Sequence, residues 1–204
     1  MHHNFKTKAH NLPALFDKVD TLGKFMSRLE KQALVDPLRY NTLKYLGDGF
    51  EFFVELLLHL HPVDNRIGIY NYEPIQRNDN GVDGVGINIR KQPSVVQIKY
   101  RSNTTDRLTA TKDHLSNLFT DGMLAHNVVA DTTDLRNYRH FVFTTAEGLY
   151  HYTDTEMFKS KVKCFGYNDI RTLIDHNLVF WDRVRDIVNT LYVPMTGTAP
   201  KATT

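Results

Sequence analysis

The chain has one cysteine in 204 residues, no long apolar run, and no excess of either charge. A single cysteine excludes a disulfide framework and any zinc site built on several thiolates. No stretch approaches the roughly 18 consecutive apolar residues of a spanning helix, so no membrane partner is expected. The amino-terminal MHHNFKTKAH is polar and carries no apolar run followed by small residues, so no secretory signal is expected. Together these absences point to an intracellular protein: cytoplasmic, or nuclear or viral-factory if the source is eukaryotic or viral. No Gly-x-x-x-x-Gly-Lys-Ser/Thr run is present, which removes a nucleotide-driven motor. Neither Ser102 nor Ser116 has a recognisable His-and-acid arrangement, so a serine hydrolase has little support. With 25 Lys+Arg against 23 Asp+Glu, the net charge of +2 neither requires nor excludes a nucleic-acid partner.

What is present is ordinary globular composition, 41% hydrophobic and 24% charged, at a length that suits one domain with a small appendage. From Leu12 to about Leu34 apolar residues recur at three- and four-residue steps, which predicts an amphipathic helix with a possible break near Gly23. After Pro37 a second helix is expected to open near Gly47-Asp48-Gly49. Its stretch Phe50–Leu58 is apolar nearly all round and should be buried, and Pro62 ends it. Strands are expected at Ile67–Tyr72, Val82–Ile89 and Val95–Tyr100, with a turn at Asn78–Gly81 and a hairpin connection at Lys91–Ser94. A helix at Leu108–Leu118, strands at His140–Thr144 and Val162–Phe165, and helices around Asp169–Asp175 and Phe180–Leu191 complete a mixed β-sheet flanked by helices, an α/β fold. The division expected is a helical segment over 1–40, a main domain over 41–193, and a disordered tail or linker over 194–204.

Gln97 and Lys99 are two apart on one strand and share a face, while Val96 and Ile98 take the other. A lysine inside an apolar strand calls for a carboxylate partner, and Asp83 on the preceding strand is the nearest candidate. Glu51 and Glu55 are four apart on one face of the buried helix. Carboxylates with a Gln carbonyl make hard oxygen ligands, suited to magnesium or manganese rather than zinc. Each residue also has a plain reading: Lys99 as an edge lysine, Asp83 as a turn former, Glu51 as a first-turn acid, and Asp79 as part of the turn. His59 and His61 read as a helix-end pair meeting the C-terminal dipole, and Cys164 as a buried strand residue.

These residues occur as Gly49-Phe50-Glu51, Asp79-Asn80-Gly81-Val82-Asp83-Gly84 and Gln97-Ile98-Lys99-Tyr100, followed by Phe141-Val142-Phe143-Thr144-Thr145-Ala146. In this order the chain resembles the PD-(D/E)XK nuclease superfamily, and within it the branch similar to Mrr-type restriction endonucleases, over roughly residues 45 to 180. The resemblance implies a restriction-endonuclease-like core with an extra N-terminal helical segment. It implies that Glu51, Asp83 and Gln97 bind Mg²⁺, for which Mn²⁺ substitutes, and that Lys99 is the catalytic lysine. Gln97 stands where many relatives have Asp or Glu, which leaves the number of metals open. Glu55 and Asp79 are second choices for the same duties.

Tyr100, Arg101 and Ser102 lead out of this cluster and suit phosphate contacts, so they are the expected substrate-binding residues. The expected activity is endonucleolytic hydrolysis of DNA, of restriction, homing or structure-specific type, in a chain that stands alone, dimerises, or forms part of a larger protein. The alternatives are a Holliday-junction resolvase, a nuclease acting on RNA, or a catalytically inactive nucleic-acid-binding module of the same fold.

Overall fold

A computed structural model describes residues 12–35, 41–61, 66–75, 81–109, 115–129, 138–150 and 161–191. The predicted N-terminal helix is two helices, α1 (Leu12–Phe16) and α2 (Leu22–Ala33), and the break lies before Gly23 rather than at it. Lys18 adopts a left-handed conformation with φ 53, and the Thr21 side chain then caps α2 by accepting from the Lys24 N–H at 3.2 Å. The break has a tertiary cause. The Leu22 N–H donates to the Asp175 carboxylate at 2.8 Å and the His176 N–H to the Asp20 carbonyl at 2.8 Å, which docks the turn on a distant segment.

Helix α3 (Thr42–Leu60) begins before the Gly47–Gly49 opening expected from sequence, because Asn41 caps it through a bond from the Lys44 N–H at 3.2 Å. As its sequence predicts, Phe50, Phe52, Phe53, Val54, Leu56, Leu57 and Leu58 are buried. Three strands follow: β1 (Ile69–Pro74), β2 (Gly84–Asn88) and β3 (Pro93–Lys99), paired antiparallel in that order. The short β4 (Arg107–Leu108) then leads towards helix α4 (Asn117–His126). A helix was expected over Leu108–Leu118. Leu108 instead pairs with Leu149 of β6 (Gly148–Leu149) in a small parallel ladder, residues 110–114 lie outside the described residues, and α4 runs later.

Strands β5 (His140–Thr144) and β7 (Val162–Phe165) coincide with the sequence expectation, and both join the sheet parallel to β3. The main sheet has the order β1-β2-β3-β5-β7, and helices α5 (Tyr167–Ile174) and α6 (Leu178–Leu191) complete a mixed sheet flanked by helices. The predicted tail, 194–204, lies outside the described residues. Among the described residues no helix is long and apolar enough to cross a membrane.

The sheet separates two apolar clusters. Val96, Ile98, Phe141, Phe143 and Phe165 face a core shared with α1, α2, α3, α5 and α6, in which Phe25 stacks on Phe53 and Phe53 on Trp181. Helices α1 and α2 belong to that core, with Leu15, Phe16, Leu22 and Phe25 fully buried in it. Val95, Val142 and Val162 face a smaller cluster closed by Leu108, Leu118 of α4 and Leu149. By alternation along β3, Gln97 and Lys99 belong to this second face.

His140 lies on the same second face, fully buried and stacked on Phe119 at 4.7 Å between centroids. Neither ring nitrogen has a hydrogen-bond partner among the described residues. Burial, helped by the charges of Arg139 and Lys161, lowers its pKa from 6.5 to about 4. The folded protein therefore holds the ring neutral while the unfolded chain takes up a proton below 6.5. The stability this supplies is complete above that value and drains away as pH falls towards 4, by about 3 kcal/mol. Urea denaturation of the wild type and of His140→Leu at pH 7, 5.5 and 4 should show the difference between them shifting by that order in favour of the variant. Equal losses in the two proteins would assign the acid sensitivity to other groups.

Candidate functional site

Asp83 stands one step beyond the last β2–β3 pair, Gly84 with Val96, and so at the level of Gln97. Its N–H donates to the Val96 carbonyl at 2.8 Å and its carbonyl accepts from the Ile75 N–H at 2.9 Å. The strand backbone then turns away, and the Asp83 carboxylate accepts the Ile98 N–H at 2.5 Å. A side chain thus continues the ladder where the main chain stops. A buried carboxylate receiving a backbone N–H is a strong, charge-assisted bond, and it fixes Asp83 against the C-terminal end of β3.

Gln97 is buried between Val96 and Ile98, and its Oε1 has no hydrogen-bond partner among the described residues. Gly81 passes close by with φ +99, a conformation that favours glycine. A β-carbon there would lie 2.6 Å from Cβ of Asn117 in α4 and 3.3 Å from Nε2 of Gln97. Glycine therefore lets the loop before Asp83 pass between α4 and the glutamine. Lys99, half-buried at the end of β3, pairs in register with Thr144. The ion pair between Lys99 and Asp83 suggested by the sequence is not formed among the described residues, and the carboxylate binds the strand N–H instead.

On α3, Glu55 is buried and Glu51 half-buried. This helix packs on the opposite sheet face from Gln97 and Lys99. The link between the two sides is Tyr72 of β1. Its ring fills the space that a side chain at Gly84 would occupy, and its hydroxyl makes a long 3.5 Å bond to the Asp83 carbonyl. Burial raises the Tyr72 hydroxyl well above its usual pKa, and the charges of Glu55, Asp83 and Glu51 add to the shift. Three carboxylates therefore act on one half-buried phenol, which stays protonated. Sequence reasoning passed over Tyr72, because nothing in its local spacing distinguishes it from other strand tyrosines.

Among the described residues no three His, Cys, Asp or Glu side chains are grouped to hold a metal ion. A ligand set centred on Asp83 must draw on other oxygens, and the unpartnered Oε1 of Gln97 fits that need. An amide oxygen buried without a donor is costly, and a hard divalent cation is a partner that would satisfy it. Asp79 lies outside the described residues.

The expected substrate residues divide. Tyr100 is turned inward, its hydroxyl donating to Glu30 of α2 at 2.6 Å and its ring set edge-on to Phe50. Burial and the Glu30 carboxylate push its ionisation upward, which leaves a packing role. Arg101 is half-buried and donates from Nη1 to the Tyr100 carbonyl at 2.8 Å, while Ser102 is exposed. His61 caps the end of α3 with its N–H on the Leu57 carbonyl and its ring against Phe180, a helix-end role as expected. Cys164 lies on β7, and burial pushes its thiol up to about 12, so it is not a ready nucleophile.

No family model, no curated protein and no solved structure matches the chain. The geometry makes a first demand on Asp83. Replacing it by Ala leaves the buried Ile98 N–H without an acceptor and should cost about 1–3 kcal/mol. Asp83→Asn keeps an oxygen for that N–H and should retain most of the stability. Urea denaturation, with hydrogen exchange at the Ile98 amide, reads both, and equal stability in the two variants would deny the carboxylate this bridging role.

Proposed function

We propose that this protein is a metal-dependent endodeoxyribonuclease of the PD-(D/E)XK type, similar to the Mrr-like branch. The observation that carries the reading is the placement of Asp83 against β3 at the level of Gln97, with Lys99 one alternation further along the same face. The mixed sheet flanked by helices supports it, since that is the coarse architecture the resemblance implies. Asp83 and the Gln97 amide oxygen would hold Mg²⁺ or Mn²⁺, with Glu51 and Glu55 adding negative charge from the α3 side. A cation so held supplies Lewis acidity to a phosphate oxygen and acidifies a water. Lys99 orients the attacking water or offsets the charge developing on the phosphorane. Ser102, exposed just beyond, would touch the phosphate backbone.

A second reading is a nucleic-acid-binding module of the same fold without catalysis. It is favoured by the Asp83 carboxylate already holding the Ile98 N–H and by Glu51 and Glu55 lying on the helix of the opposite face.

Plasmid, linear duplex, single-stranded and branched DNA, with an RNA control, separate these readings in the presence of Mg²⁺ or Mn²⁺. At least one DNA should be cut, and Lys99→Ala and Asp83→Asn should each lower the rate about 100-fold or more. Binding to DNA should be modest without divalent ions, tighter with them, and weaker as salt rises. Undiminished cleavage in both variants would remove the site assignment. Calorimetric metal binding and DNA binding without cleavage would establish the second reading instead.

A dimer would let two such sites cut both strands. Sedimentation should then show two copies on duplex DNA, and a monomer both free and bound would end that part of the proposal.

A further inference from the structure

Beyond the last registered pair, Lys99 with Thr144, strands β3 and β5 no longer share a regular ladder. Two fully buried threonine hydroxyls take over. Thr144 Oγ1 donates to the Lys99 carbonyl at 2.8 Å and accepts from the Ala146 N–H at 3.0 Å. Thr145 Oγ1 accepts from the Arg101 N–H at 2.6 Å and donates to the Arg101 carbonyl at 2.7 Å, so one hydroxyl satisfies both main-chain groups of that residue. The Thr145 N–H also reaches the Lys99 carbonyl at 3.3 Å. On the other side of the same segment, Tyr100 is anchored to Glu30.

We propose that Thr144 and Thr145 are positioning residues for Lys99, holding residues 99–101 so that the lysine leaves the strand in one fixed direction. This rests on the nuclease reading of Lys99. A lysine stem has many rotamers, so the main chain sets the starting point from which its amine reaches. Registered pairing ends at this position, and without the hydroxyls the carrying segment would keep only the Thr145 N–H bond and the Tyr100 anchor and could shift. A shift near 1 Å in a catalytic group is enough to cost about 100-fold in rate. Valine matches threonine in shape and puts a methyl in place of the hydroxyl. Serine keeps the hydroxyl and removes only the methyl.

Cleavage kinetics on Thr144→Val, Thr145→Val, Thr144→Ser and Thr145→Ser test the idea, with Val188→Ala of the distant α6 as a control for lost stability. The two valine variants should lose roughly 10- to 100-fold in kcat at unchanged KM. The serine variants should recover most of it, and Val188→Ala should keep the wild-type kcat despite a lower Tm. A second readout needs no cleavage. With lysines labelled by ¹³C reductive methylation, the chemical shift and linewidth of the Lys99 resonance should change in Thr145→Val and not in Thr145→Ser.

If the wild type cuts no DNA, the nuclease reading fails while the Lys99 resonance still decides whether the threonines position that side chain. A folded Thr145→Val with wild-type kcat and an unmoved Lys99 resonance would overturn the proposal. Should Thr145→Val not fold, Thr144→Val decides it by the same two readouts.

Discussion

Strand β3 is hydrogen-bonded along both edges and covered on both faces, and the remainder of the molecule is arranged around that constraint. On one edge it pairs antiparallel with β2, on the other parallel with β5. One face meets the large aromatic core, the other the smaller cluster beneath α4. A strand so enclosed has no solvent to satisfy its polar groups, so each must find a protein partner or carry a cost. The Ile98 N–H finds the Asp83 carboxylate. Gln97 Oε1 finds none among the described residues, and on the proposed reading this amide oxygen is a group that a cation would satisfy.

The same constraint bears on the acids nearest this strand. Asp83 sits at the split between β2 and β3, where a carboxylate stands in for a missing strand. Tyr72 leans over Gly84, and there it feels Glu51 and Glu55 from the α3 side as well as Asp83. The negative charge of these acids is felt at Tyr72, which keeps its proton. On the proposed reading, the near-neutral formal charge of +2 omits that cation and understates the attraction to a phosphate backbone.

Residues outside the resemblance contribute to the site indirectly. Helix α2 supplies Glu30, which holds the Tyr100 hydroxyl, and α1 with α2 places Phe16 and Phe25 in the core that backs β3. The N-terminal segment is therefore part of the scaffold that fixes the chain next to Lys99. Tyr100 illustrates the consequence: adjacent to Lys99 in sequence, it faces the opposite way in space, and its hydroxyl serves α2 rather than a ligand.

Much of the framework was legible in the sequence because it rests on local periodicity. The all-round apolar stretch of α3 predicted a buried helix. The short strands β5 and β7 were expected at their observed bounds, and the alternation through Val96, Gln97, Ile98 and Lys99 assigned the faces of β3. What only the tertiary structure decided are contacts between residues far apart in the chain. The break between α1 and α2 is set by Asp175, the small β4–β6 pairing replaces part of an expected helix, and the Asp83 carboxylate binds Ile98 rather than Lys99. Tyr72 against Gly84, and the threonine hydroxyls on residues 99–101, belong to the same class. Hydrophobic spacing specifies which side of an element is buried. It carries no record of which distant polar group will meet an unpaired N–H, because that is settled by competition among all the groups the folded chain brings near.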